Sequence, residues 1–176
     1  RYTAANVIVQ MNFLQKGPNT DGLNPDSCND VLIEGCHFET GDDCIAINAG
    51  MNEDGWRVGC VCKNITIRNC TMNGGHGGVV IGSAISGGVE NVHVSNCIIK
   101  NTMQGIRIKT IAWQRWIIKN AMFSDIEINE YPIGDTDQFF LGIQHSKTAD
   151  QYAIELTDIT IERVHGCGAG SAIEIK

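Results

Sequence analysis

Residues 64–70 read NITIRNC and residues 91–97 read NVHVSNC. Both have the form Asn, apolar, any, apolar, any, any, Cys. The same unit, with Asn or Asp leading and a small residue or Cys closing it, recurs as DVLIEGC (30–36), NVIVQMN (6–12) and DITIERV (158–164). NAMFSDI (120–126) is a weaker copy. Apart from a longer gap before the last copy, the units start 24 to 34 residues apart, the period of stacked coils. Within each unit the alternation is that of a strand: Val31 and Ile33 face one way, Leu32 and Glu34 the other.

A second apolar burst follows most units: CIAI (44–47), VVIG (79–82) and GIRIKT (105–110). Each coil therefore carries at least two short strands joined by Gly- or Asn-rich corners. No helical period of adequate length separates them, and tight hairpin signals are missing. Strands repeating in the same sense predict an all-β, right-handed parallel β-helix of about five to six coils, residues 1–176 forming a single domain. A sandwich or barrel is the alternative, but neither requires like units in like orientation. In the coiled arrangement Cys36, Cys70 and Cys97 occupy one repeat position and stack, with Asn12 extending the file. His93 alternates outward as a surface histidine.

The chain has 176 residues, 20 Gly against 3 Pro, and a net charge of −7. Glycine corners and short bursts suit many strands better than long helices. The negative charge argues against a nucleic-acid partner or an anionic membrane surface. No apolar run approaches the roughly 18 residues needed to cross a bilayer. The eight Cys do not make a small disulfide scaffold. Cys60, Cys62, Cys70 and His76 lack the second Cys pair that would complete a zinc pattern, so packed thiols or one or two disulfides are expected. The chain opens without Met and ends in a strand-like run. It reads as an internal fragment missing preceding coils and a terminal cap, whose open solenoid ends invite self-association.

Four polar patches sit one coil apart: NTDG (19–22), GDD (41–43), GHGG (75–78) and RIK (107–109). Alone, each has a plain explanation as a turn, a solvated corner or a charged strand face. Independent turns, however, have no reason to fall in register. Stacked strands lie about 4.8 Å apart, so these patches would form one stripe. With Ile45/Ile47, Val79/Ile81 and Ile106/Ile108 inward, Arg107 and Lys109 point outward, and Asn48, Gly82 and Lys109 share a file. Gly77 and Gly78 would keep the surface low and let a ligand approach the backbone.

These four motifs, in this order and near these spacings, resemble the motif set of the polygalacturonases, glycoside hydrolase family 28. The longer strings NTDGLNPDSC and GHGGVVIGSAISGG resemble bacterial members in particular. The resemblance runs from about Asn6 to Lys109 and more loosely to Lys176. It implies inverting hydrolysis of α-1,4-galacturonan, with Asp42 as general acid and Asp21 and Asp43 handling water. His76 would tune the acid or touch the sugar. Asn19, Gly77, Asn48, Arg107 and Lys109 would meet a substrate that is a pectic polysaccharide or oligogalacturonide. Neither cofactor nor metal is called for, and a secreted or periplasmic location is implied. Crowding of the three carboxyls should raise the pKa of at least one and keep a proton on the acid.

Two departures stand out. Asn48 occupies a position where many relatives carry Lys. GIQHSK (142–147) lacks the Tyr that often follows RIK by one coil, and Tyr131 and Tyr152 do not align convincingly. Two other readings remain: a Ca²⁺-dependent pectate lyase on a similar β-helix, with clustered Asp as ligands and Arg107 as base, and a non-catalytic carbohydrate-binding solenoid. The 49–60 segment reads as a long loop beside the groove.

Overall fold

A computed structural model describes residues 2–5, 8–10, 19–111, 116–129, 137–144, 154–166 and 171–175. Strands β1 (Tyr2–Ala5) and β2 (Ile8–Gln10) come first. They are followed by β3 (Asn29–Glu34), β4 (His37–Glu39) and β5 (Ile45–Ile47). After a short helix, α1 (Asn52–Val58), come β6 (Cys62–Arg68), β7 (Thr71–Asn73) and β8 (Gly77–Ile81). Next are β9 (Val89–Lys100), β10 (Gln104–Ile111), β11 (Trp116–Asn129), β12 (Asp137–Gln144), β13 (Ile154–Gly166) and β14 (Ser171–Ile175).

Every strand pairing is parallel, each strand meeting its counterpart one coil away. One face stacks β1, β3, β6, β9, β11 and β13. A second stacks β2, β4, β7 and the later half of β9. A third stacks β5, β8, β10, β12 and β14. This is a parallel β-helix with three faces per coil.

The recurring unit explains the coil. Its first residue, Asp30, Asn64, Asn91, Asn120 or Asp158, has φ between 55° and 59°, and its sixth, Gly35, Asn69, Asn96, Asp125 or Arg163, between 51° and 62°. Left-handed backbone is most readily adopted by Gly, Asn and Asp, so the polar letters of the unit mark where the chain bends. Between the bends, alternation fills the core. Val31, Ile65, Val92, Ala121 and Ile159 share one register, as do Ile33, Ile67, Val94, Phe123 and Ile161. Phe38, Met72, Ile99 and Ile128 form a third file from the second face. Leu32 and Glu34 lie half-buried on the outer side, and His93 is exposed.

The leading Asn and Asp side chains bond to each other along the stack. Asn64 Nδ2 donates to Asp30 Oδ1 at 2.9 Å, Asn91 to Asn64 at 3.0 Å, and Asn120 to Asn91 at 2.9 Å. Cys36, Cys70 and Cys97 are buried at the next corner, where their thiols donate to Glu34 O, Arg68 O and Ser95 O respectively. The seven Cys among the described residues are free thiols. Asn12, expected to extend that file, lies outside the described residues, as do Tyr131, Tyr152 and His145–Lys147.

The 49–60 segment is more than a loop, because it contains α1. Glu53 and Asp54 lie in its first turn and Arg57 in its last, the charge order that complements a helix dipole. Gly59, at φ 59°, closes it by donating to Gly55 O at 2.9 Å. Seven residues are too few to give a visible helical period, so the alternation rule missed it.

Candidate active site

The site is built around the corner between β4 and β5. Thr40, which is buried, donates through Oγ1 to Asp42 O at 2.7 Å. Gly41 N donates to Thr20 Oγ1 at 3.1 Å, and Asp43 N donates to Asp42 Oδ1 at 2.8 Å. Gly75, at φ 79°, backs this corner: a Cβ there would run into Asp42 O. The bend that separates the directions of Asp42 and Asp43 is thus held from both neighbouring coils.

Parallel stacking then brings the other motifs in. Gly22 N donates to Asp43 O at 3.0 Å and Leu23 N to Cys44 O at 3.1 Å. The Leu23–Ile45 bridge sets Asp21 level with Asp43. On the other side Cys44 N donates to Gly77 O at 2.8 Å, and Ile45 pairs with Val79. Val80 pairs with Arg107 one coil on. Asp21, Asp42, Asp43, His76, Arg107 and Lys109 therefore lie on neighbouring turns of one edge, as the spacing predicts. Asn48 bridges to Asp26, half-buried on the same edge. Asn19 sits exposed in the turn before Thr20, with φ 57°.

Specific contacts join the patches. His76 Nδ1 is 3.0 Å from Asp42 Oδ1, with the imidazole half exposed and the Asp42 side chain 13% exposed. Lys109 Nζ donates to Asp43 Oδ2 at 2.8 Å, where the Asp43 side chain is only 4% exposed. Asn24 Nδ2 donates to Asp21 Oδ2 at 2.8 Å. Asp42 therefore faces the solvent edge, and Asp43 lies behind it.

Two expectations change. Gly77 is buried, and the place of its missing Cβ is taken by Val80 Cγ2 and, at 3.0 Å, Asp43 Oδ1. Gly78 is packed in the same way by Ile99 and Gly105 O. These glycines make room for protein atoms, so the surface they were expected to lower is already filled. Electrostatics differ too. The carboxyl pushed up from the ordinary value of 3.8 is Asp43, and the main cause is burial. The Lys109 ammonium pulls the other way by hydrogen bond and charge, the Asp42 charge adds a smaller upward push, and Arg107 opposes it. Arg107, half-buried itself, is lowered by desolvation and sustained by the charges of Asp43 and Asp42. Crowding alone does not dominate, because loss of water around a carboxylate outweighs one like charge at the edge.

Thr20, Thr40, Asn24 and Gly75 were not singled out from the sequence, although they fix the acidic corner. Thr20 and Asn24 lie within or beside NTDG, and Thr40 directly precedes GDD. Their proximity to the motifs was the available signal.

Comparison with known proteins bears on the family and the fold. The model of the glycosyl hydrolases family 28 matches residues 2–176. A polygalacturonase of Juniperus ashei is 32% identical over 161 residues, covering 88% of this chain and 29% of the relative. The solved structure of a family 28 exopolygalacturonase from Yersinia enterocolitica superposes with a TM-score of 0.73 at 20% identity, over 86% of this chain and 27% of its own. A hyperthermoactive exopolygalacturonase from Thermotoga maritima gives 0.64 at 26% identity, over 97% and 48%. The fold is the right-handed parallel β-helix of these neighbours. The chain belongs to glycosyl hydrolases family 28, and it spans less than half the length of each of these three proteins.

Proposed function

We propose that the protein carrying this chain hydrolyses α-1,4-galacturonosyl linkages of pectic polysaccharide with inversion at the anomeric carbon. The observation that carries this reading is the pairing of an edge-facing Asp42, touched by His76, with a buried Asp43 level with Asp21. An inverting glycosidase needs a protonated carboxyl at the leaving oxygen. It also needs an ionised one on the opposite side of the sugar, typically about 6.5–9.5 Å away, to leave room for water.

In this mechanism Asp42 gives its proton to the glycosidic oxygen as the C1–O bond breaks. Asp43 and Asp21 take a proton from water as its oxygen bonds C1 from the other face. His76, in contact with Asp42 Oδ1, holds the acid's orientation. Arg107 presents a planar, two-pronged donor suited to a uronic acid carboxylate. Asn19 and Asn48 lie along the same edge as further sugar contacts. Local cations offset the repulsion between a polyanion and a chain of net charge −7. Residues 1–176 act as part of one β-helix domain, in a secreted or periplasmic protein that reaches plant cell wall.

The test is Asp42→Asn in the full-length protein, assayed for reducing ends on polygalacturonate. Loss of turnover by about 10²-fold or more supports the acid role. Near-wild-type turnover removes it. An ultraviolet-absorbing unsaturated product that requires calcium would replace hydrolysis with elimination. The Asp43 oxygen already committed to Lys109 argues against that outcome.

A further inference from the structure

The edge that carries Asp43 at the start of β5 ends, past the strand, beside a cavity. Asn48 N donates to Pro25 O at 2.8 Å, and Ser27 N donates to Asn48 O at 3.0 Å, tying this end of the strand to the preceding coil. The chain then turns into α1, and a space of about 290 Å³ opens between Asp26 and the helix. Asp26 Oδ1 accepts the Gly50 N–H and the Ser27 hydroxyl, each at 2.9 Å. Those bonds hold the carboxylate in place and leave its second oxygen able to accept. Met51, just before α1, and Val58, at its end, line the same cavity and are 49% and 61% exposed. Among the described residues they are two of four large apolar side chains left exposed. Single exposed apolar residues are ordinary, but two facing one cavity make a surface that a ligand can cover.

The lining holds two carboxylates, Asp26 and Asp54, and no Lys or Arg. Arg57, outside it, is paired with Asp54 at 3.1 Å. A free uronate would meet like charge here, whereas sugar hydroxyls would find an acceptor. We propose that this cavity binds a methyl-esterified galacturonosyl unit of the substrate, Asp26 accepting from its ring hydroxyls and Met51 and Val58 covering the ester methyl. This inference rests on the hydrolase reading of the neighbouring corner and adds a substrate class to it. Asn48 lies five positions beyond Asp43, about 16 Å of extended strand, so one oligosaccharide can occupy both places. The edge changes character along its length, with cations two coils on at Arg107 and a carboxylate beside apolar side chains at this end. The pattern suits a partly esterified pectin better than a uniformly charged one.

The experiment uses the full-length protein carrying Asp42→Asn, so that the ligand is not consumed, and calorimetry with oligogalacturonides bearing either no ester or one methyl ester at a defined unit. One singly esterified isomer should bind about fourfold more tightly than the free acid, the gain from sheltering one methyl group. Met51→Lys and Val58→Lys, added separately, each bring a cation to the cavity and should abolish or reverse that preference, the reversal fading at high salt. Both side chains are exposed, so neither change disturbs the core. The proposal is overturned if no isomer binds more tightly than the free acid, or if the preference survives both Lys variants. An equal gain from an oligomer carrying a neutral sugar branch in place of the ester would overturn the assignment to a methyl ester. Turnover of galacturonan is measured separately on wild type. If there is none, the hydrolase reading fails, while the binding preference still decides what the cavity takes.

Discussion

His76 Nδ1 and Asp42 Oδ1 stand 3.0 Å apart, joining two coils that are 34 residues apart in sequence. The same Asp42 oxygen accepts the Asp43 backbone N–H at 2.8 Å. One carboxyl oxygen therefore takes a backbone hydrogen bond from its own corner and stands within ion-pair distance of an imidazole from the next coil. This leaves the other oxygen of Asp42 to act at the edge, and it makes His76 the only imidazole in ion-pair distance of the acidic corner among the described residues.

His76→Ala should lower kcat on polygalacturonate by about 10- to 100-fold, less than loss of the acid itself, with the fold intact. The imidazole is half exposed and packs against no core file, so its removal leaves no cavity. The check is steady-state kinetics alongside a urea melt: the rate should change and the midpoint should not.

Gly77→Ala should damage both stability and activity. The added methyl would overlap Val80 and stand 3.0 Å from Asp43 Oδ1. Overpacking of this kind costs about 1–3 kcal/mol. A urea titration should show a lowered midpoint. Turnover should drop further than the fraction unfolded explains, because the carboxyl is displaced.

Asn91→Ala tests the ladder far from the chemistry. Asn91 has φ 56°, donates to Asn64 and accepts from Asn120. Replacing it removes two hydrogen bonds and leaves a Cβ in left-handed backbone, together about 2 kcal/mol. Asn91→Gly loses the bonds but relieves the backbone, so it should destabilise less. Equal losses in the two variants would show that the backbone conformation is unimportant.

The raised Asp43 carboxyl gives stability a pH dependence of known sign. The folded protein binds this proton more tightly than the unfolded chain. Its contribution is complete below the ordinary value of 3.8 and is lost as pH rises through the higher folded value. Asp43→Asn, which stays neutral, should therefore gain on wild type as pH rises above the ordinary value of 3.8. The two should converge at lower pH. Urea midpoints across that range would show it, and a variant losing ground as pH rises would reverse the assignment.

Much of the fold was legible because the repeat carries its own bends. Asn64 and Asn91 mark left-handed corners, and the alternating residues after each mark the inward face. Registry followed from those units, and with it the meeting of GDD, GHG and RIK. Helix α1 was hidden because seven residues between glycines carry no readable period. The surroundings of Gly77 and Lys109 were also hidden. Sequence places both on the edge, but whether the space beside a glycine is open, and which of two carboxylates a long ammonium reaches, depends on side-chain packing across three coils.

The acid/base arrangement is tested most directly by the anomer released first. Oligogalacturonide cleaved by the full-length protein in a chelator should show, by ¹H NMR in the first minutes, the β-anomer at the new reducing end, before mutarotation. Initial release of the α-anomer, or of an unsaturated uronide, would contradict an Asp42 acid working opposite a water held by Asp21 and Asp43.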